Sequence, residues 1–249
     1  MEKIKISLVS YLNARPFAYG ILQSGINKNI FLSLDPPGIC ADKLINGIAD
    51  IGLVPVAVIP EIKGNTIISD YCISSTGKVN SVLLLSDVPL DKITKIILDQ
   101  ESRTSVLLAR ILAKKIWKID PVWEVENIDG LNKAKGTIAA VVIGDRALAL
   151  RSKYEYIYDL SEEWNKMTGL PFVFACWVAN KPIDKKFLAL FNEALKYGVE
   201  HIVDLLEKEG LSENDKNYLM NSIQYKLNGQ KKAGIKLFLS LINELEVTK

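Results

Sequence analysis

The sequence predicts an α/β protein, a mostly parallel sheet with helices on both faces. Two observations predict it. Short apolar runs of strand length alternate with helix-like segments from residue 3 to about residue 180, the pattern of strand–helix–strand units. Beyond about residue 183 the pattern is helical only. Apolar residues make up 49% of the 249, enough to build a core, so nothing in the chain reads as disordered.

Residues 3–9 (KIKISLV) alternate apolar and polar as a half-buried strand does, and 31–35 (FLSLD) suit a second. DPPG at 35–38 reads as a turn, followed by a helix from Cys40 to Gly47, which the glycine closes. Residues 50–56 (DIGLVPV) read as a buried strand stopped by Pro55. Further strands are expected at 81–86, 95–99, 137–144 and 172–179, with helices at 103–116, 145–151 and 161–168 between them. The last helix has concordant end signals: Ser161 as N-cap, Glu162 and Glu163 in the first turn, and Gly169 and Pro171 past the end. Leu188, Phe191, Leu195, Val199, Ile202 and Leu206 then fall three or four apart, one stripe of a long amphipathic helix. Two more helices are expected near 212–225 and 231–246. Trp164, Phe172, Phe174 and Trp177 read mainly as core.

No flexible linker divides the chain, so two lobes would have to be joined by extended segments. The apolar runs 81–86 and 172–179 are the candidates. They assign residues 1–85 and 176–249 to one lobe, including the last three helices, and 86–175 to the other.

Several function classes are disfavoured by composition. The formal charge is +2, with acids and bases mixed along the chain, so no basic face for nucleic acid is expected. Apolar runs such as SVLLLS and TIAAVVIG are too short to span a bilayer, and MEKIKISLVSYLN reads as a strand rather than a signal peptide. Cys40, Cys72 and Cys176 are odd in number and widely spaced, as suits buried thiols in a cytoplasmic protein. The single histidine, His201, lies off the apolar stripe of its helix and is a poor candidate for a Ser-His-Asp or Cys-His centre. Metal-ligand spacings, GxGxxG and the Walker A pattern do not occur. Elimination therefore favours a site with neither metal nor cofactor.

Three polar clusters fall at predicted strand ends. SYLNARP (10–16) places Ser10, Tyr11, Asn13 and Arg15 in one turn, an assortment of hydrogen-bonding groups that a plain connection does not need. DQESRTS (99–105) offers Ser102, Arg103, Thr104 and Ser105 at a helix start, where free N–H groups attract an anion; ordinary capping by Ser102 is the plain alternative. IGDRA (143–147) has Gly144, which permits close backbone approach, and Asp145, which suits a helix cap. Open α/β sheets bind ligands beyond the carboxyl ends of their strands, so the three turns together form a candidate pocket.

In this order and spacing, VSYLNARPF, DIGLVPV, NSVLLLS, LDQESRTSV, VIGDRAL and YDLSEEWNKMTGLPFVFACWVA resemble the chorismate dehydratase family of the futalosine route to menaquinone, over about residues 4 to 180. The resemblance implies a two-lobed periplasmic-binding-protein-like fold of type II, with a ligand cleft between the lobes and no cofactor. It implies a small-molecule substrate, chorismate, dehydrated to 3-[(1-carboxyvinyl)oxy]benzoate. DPPGIC (35–40) departs from the family pattern at Gly38 and Ile39, and no role is assigned there.

That chemistry suits these residues. The proton at the ether-bearing carbon of chorismate is conjugated to the ring carboxylate, and loss of the neighbouring hydroxyl makes the ring aromatic. Aromatisation drives the reaction, so the protein has mainly to orient the ring and stabilise developing charge. Asn13 is expected at the reacting region. Ser81, Thr104, Ser105 and Gly144 are expected on the carboxylates, with Ser10, Tyr11, Arg15, Ser102, Arg103 and Asp145 completing the binding set. The proton acceptor is expected to be the enolpyruvyl carboxylate of the substrate itself, with Asp145 as the conventional alternative. The rival class is a cytosolic module that binds a small carboxylate anion and catalyses nothing.

Overall fold

The computed structural model describes residues 3–126 and 133–246. Its strands and helices follow the apolar periodicity for most of the chain. In order they are β1 (Ile4–Val9), α1 (Arg15–Gln23), β2 (Ile30–Asp35), α2 (Pro37–Ile45), β3 (Ile51–Pro55), β4 (Thr66–Ser75), β5 (Val82–Ser86), β6 (Lys95–Asp99) and α3 (Thr104–Leu112). Next come β7 (Val122–Glu126), β8 (Ile138–Ile143), α4 (Gly144–Leu150), β9 (Tyr156–Asp159), α5 (Leu160–Thr168) and β10 (Phe172–Ala179). The remainder is α6 (Lys185–Glu200), α7 (Ile202–Glu209), α8 (Glu213–Asn217), β11 (Gln224–Lys226) and α9 (Gly229–Glu246).

These elements form two units. Met1–Ser74 with Val173–Asn228 holds a six-stranded sheet in the order β11-β4-β10-β3-β1-β2. Ser75–Phe172 with Gly229–Lys249 holds a five-stranded sheet, β7-β6-β8-β5-β9. Both sheets are mixed, where a mostly parallel one was expected. β1 runs parallel to β2 and β3, and β6 parallel to β7 and β8. β10 runs antiparallel to β3, and β5 antiparallel to both β8 and β9. Parallel pairs require a crossover; β5 and β10 enter their sheets from the joining segments and take the opposite direction.

The boundaries lie at 74/75 and 172/173 instead of 85/86 and 175/176, and a third falls at 228/229. The last helix therefore belongs to the second unit and not, as expected, to the first. Phe238 on α9 meets Trp164 and Phe172 edge-on, with ring centroids 6.0 and 5.0 Å apart. An amphipathic pattern reveals that a helix needs an apolar partner, without revealing which one.

β4, β7, β9 and β11 were not expected. β4 (TIISDYCISS) carries polar residues on its buried positions, and Ser69 satisfies its hydroxyl by donating to Asn192 Oδ1 at 2.7 Å. β7 is a sheet edge with Val122 and Val125 exposed, and β11 is three residues long. The long helix expected across 188–206 breaks at His201, whose ring stacks on Tyr197 at 3.8 Å. Its apolar stripe survives the break: Phe191, Leu195, Ile202 and Leu206 are all buried.

Two glycines fix the first unit's main helix contact. A Cβ on Gly198 of α6 would lie 1.8 Å from the Pro16 carbonyl oxygen, and one on Gly20 of α1 would lie 2.0 Å from that of Ala194. Backbone thus meets backbone, and no side chain can rotate away to relieve the clash. Gly198→Ala should cost about 3 kcal/mol or more in urea unfolding, beyond ordinary overpacking because the helices themselves must separate.

In the second unit, the residue that caps α5 is Asp159 rather than Ser161. Its Oδ1 accepts the N–H groups of Ser161 and Glu162 at 3.0 and 3.2 Å. Its Oδ2 accepts those of Val79 and Asn80 at 2.9 and 2.7 Å. Burial raises this carboxyl to about 6, against the opposing pull of the four N–H donors. The buried Ser161 hydroxyl has no partner among the described residues. Aspartate outcompetes serine here because two oxygens serve two segments at once. Asp159→Ala should cost about 3 kcal/mol, the loss of a cap plus stranded buried donors. Ser161→Ala should change stability by less than about 0.5 kcal/mol or raise it, since an idle buried hydroxyl is removed. Paired denaturation curves of the two variants check both outcomes.

Candidate functional site

The opening turn lies in the first unit at the carboxyl end of β1. Ser10 is exposed and donates its N–H to the Asp35 carbonyl at 3.0 Å, tying the turn to the end of the neighbouring strand β2. Asp35 is itself fastened. Its carboxylate accepts Ser7 Oγ at 2.7 Å, Ser33 Oγ at 2.6 Å and both bonds of Lys43 Nζ at 2.7 Å. Burial works to raise its pKa, but the Lys43, Ser33 and Ser7 hydrogen bonds prevail and hold it below the usual carboxylate value. Nearby Cys40 is pushed up to about 12, chiefly by burial, which leaves an inert thiol.

Leu12–Ala14 make one 3-10 turn into α1, with Leu12 and Ala14 buried. Asn13 stands between them, half-buried, and donates from Nδ2 to the Tyr218 hydroxyl at 3.3 Å. Tyr11 is also half-buried. Arg15, expected on substrate, pairs with Glu209 on α7 at 2.8 Å, with both side chains 40% exposed. A surface pair of that kind contributes little to stability and leaves the guanidinium free to exchange partners.

The other two clusters lie in the second unit, at one end of the central strands of its sheet. β6 and β8 are parallel, so Asp99 and Gly144 sit at neighbouring carboxyl ends. β5 runs the other way and pairs Val82 with Ile143, which sets Ser81 beside Gly144; the Gly144 N–H donates to the Ser81 carbonyl at 2.8 Å. Gly144 has φ +63°, a left-handed conformation that glycine adopts without strain. Asp145 is exposed in the first turn of α4.

At the start of α3, Ser102 Oγ accepts the Ser105 N–H at 3.2 Å, so the plain capping role does belong to Ser102. Thr104 and Ser105 are buried in the first turn, and Arg103 is partly exposed before it. Arg146 joins the two clusters. Its NH2 donates to Asp99 Oδ2 and to Glu101 Oε2, both at 2.9 Å. Asp99 is fully buried; burial pushes its carboxyl up, while the Glu101 N–H and Arg146 pull it down.

Arg146, Asp99, Asp159 and Tyr218 were not singled out in the sequence. Only Asp99 had a visible signal, an acid ending the apolar strand KIILD that would need a cation. Among the described residues, no group of three or more His, Cys, Asp or Glu is placed to hold a metal ion. No described helix is long and apolar enough to cross a membrane. His201 lies at the α6–α7 break of the first unit, with Nδ1 2.8 Å from the Tyr197 carbonyl oxygen.

Arg146→Met would leave the buried Asp99 carboxylate without its cation. The expected loss is about 3 kcal/mol, the usual result of removing one partner from a buried pair. Adding Asp99→Asn should recover part of it, which equilibrium unfolding of the single and double variants measures.

Comparison with known proteins places the chain. A family model described as menaquinone biosynthesis matches residues 4–244. A chorismate dehydratase of Thermus thermophilus is 28% identical over 196 residues, spanning 69% of this chain and 71% of that protein. A chorismate dehydratase of Campylobacter jejuni is 31% identical over 112 residues, 43% of this chain and 50% of its own length. Among solved structures, protein AF1704 of Archaeoglobus fulgidus superposes with a TM-score of 0.77 at 12% identity, covering 99% of this chain and 98% of its own. The periplasmic aliphatic sulphonate binding protein SsuA of Escherichia coli gives 0.61 at 16% identity, covering 99% and 94%. The fold is periplasmic-binding-protein-like.

Proposed function

The chain belongs to the menaquinone-biosynthesis family, and on that premise we propose that it converts chorismate to 3-[(1-carboxyvinyl)oxy]benzoate and water, in the cytoplasm and without a cofactor. The similarity to proteins named chorismate dehydratase supports the activity. The observation that carries the mechanism is the state of the acids. Among the described residues the buried acids are Asp35, Asp99 and Asp159, and each is committed to hydrogen bonds that hold backbone or side chains in place. Glu101 is paired with Arg146. A general base must be within reach of the proton and free to take it, and these groups are engaged elsewhere.

In this reading the enolpyruvyl carboxylate of chorismate accepts the ring proton. Asn13 holds that carboxylate or the departing hydroxyl, a role suited to an amide, which donates and accepts without titrating. The N–H groups and hydroxyls of Ser102–Ser105, with Ser81 and Gly144, bind carboxylate, helped by the positive end of α3. Ser10, Tyr11, Arg15, Arg103 and Asp145 complete the binding set. The periplasmic-binding-protein-like fold favours the second reading, a carboxylate-binding protein without turnover.

Mixing the protein with chorismate, with no added metal or nucleotide, and following the benzoate product chromatographically separates the two readings. Asn13→Ala should lose at least about 100-fold in turnover, as removal of a donor at developing charge does. Thr104→Ala should weaken chorismate binding about tenfold with folding unchanged, the loss of one charge-assisted bond. His201→Ala should retain activity. Asp145→Asn should do so too; a collapse of its turnover with binding intact would identify Asp145 as a conventional base.

A further inference from the structure

We infer that Tyr218 is a positioning residue for Asn13: by accepting one N–H of the amide at 3.3 Å, its phenol oxygen sets which edge of Asn13 faces the substrate. The inference rests on Asn13 acting at the reacting region. A terminal amide turns through a broad torsional well, and a half-turn exchanges its donor edge for its acceptor edge. The two orientations are not equivalent to a substrate. A carboxylate must be met by N–H, and an amide oxygen turned toward it would repel it.

Tyr218 is the only side-chain partner of the Asn13 amide among the described residues. With one N–H committed to the phenol, the second N–H and the carbonyl oxygen remain for ligand. The phenol is itself enclosed by its surroundings. Tyr218 is 4% exposed and opens a π-helical turn, Tyr218–Ser222, directly after α8. The start of α8 is locked by a reciprocal cap, in which Ser212 Oγ accepts the Asp215 N–H and Asp215 accepts the Ser212 N–H. A π turn shifts the residues within it out of the preceding helical register, and such turns recur where a side chain must be aimed. The bond joins residues 205 apart in sequence, so it fastens the opening turn to a segment from the far end of the same unit.

The same unit contains a built-in control. Tyr225 is equally buried, and its hydroxyl has no partner among the described residues. Tyr→Phe at either position removes one oxygen from the core, but only at 218 does it release the amide.

The experiment is steady-state kinetics with chorismate and a melting curve for Tyr218→Phe, Tyr225→Phe and Asn13→Ala. Tyr218→Phe should lower kcat about 3- to 10-fold, the share of one net hydrogen bond, with KM within about twofold and Tm nearly unchanged. Tyr225→Phe should leave kcat and KM as they are. Added to Asn13→Ala, the Tyr218→Phe change should reduce the residual product, read over long incubations, no further. Wild-type kcat in Tyr218→Phe, or equal losses in the two phenylalanine variants, overturns the inference. Full turnover in Asn13→Ala overturns instead the reading of Asn13 on which the inference stands.

Discussion

The second unit is organised around one buried carboxylate. Asp159 gathers four backbone N–H groups from two segments about 80 residues apart. Half of them start α5, and the other half fix the turn at Asn80, whose φ of 63° is left-handed. That turn delivers Ser81 and β5, and β5 is the strand on which both β8 and β9 pair. The consequences propagate across the ends of the central strands. Ser81 receives Gly144, Gly144 begins α4, and α4 carries Arg146 back to Asp99 and the start of α3. A low-dielectric surrounding strengthens each bond and makes each one costly to leave unmade, so such a chain of contacts behaves as a unit.

Charge in this protein is used for holding. Asp35 organises the carboxyl ends of β1 and β2 through Ser7, Ser33 and Lys43, just as Asp99 organises that of β6 through Arg146. Beside those ends stand the buried hydroxyls of Ser102, Thr104 and Ser105 and the half-buried Asn13 amide, together with the charged Arg15, Arg103 and Asp145. The hydroxyls and the amide keep their protonation state near neutrality. Under the proposed function, an anionic substrate that brings its own reactive carboxylate asks those groups for aim rather than for tuned acidity.

What could be read in the sequence follows the same division. β1, β3, β6, β8 and β10 were legible because their apolar runs are buried, and α5 because its end signals agree. β4 was not, since its inward serines find polar partners in other elements, and a single sequence does not display partners. The SYLN and SRTS turns were visible as clusters of unlike polar groups. Their supports were invisible: Tyr218 reads as one more aromatic in a helical stretch, and Arg146 as a charge beside a cap. The unit boundaries were misplaced for a related reason. Nothing local distinguishes a helix returning to the first sheet from one that seals the second.

That last helix has a consequence for biosynthesis. A ribosome that has released residues 75–172 has supplied every strand of the second sheet, but not α9, whose Phe238 closes over Trp164 and Phe172. Until residues 229–246 emerge, those two rings have no cover from α9, and the nascent unit presents an apolar surface to whatever chaperones are near. The first unit, finished by residue 228, completes its set of residues earlier although its sheet is the larger. The residues of the first unit are therefore all supplied before those of the second, although the middle segment of the second is continuous, and a stall between residues 172 and 229 leaves Trp164 and Phe172 without Phe238.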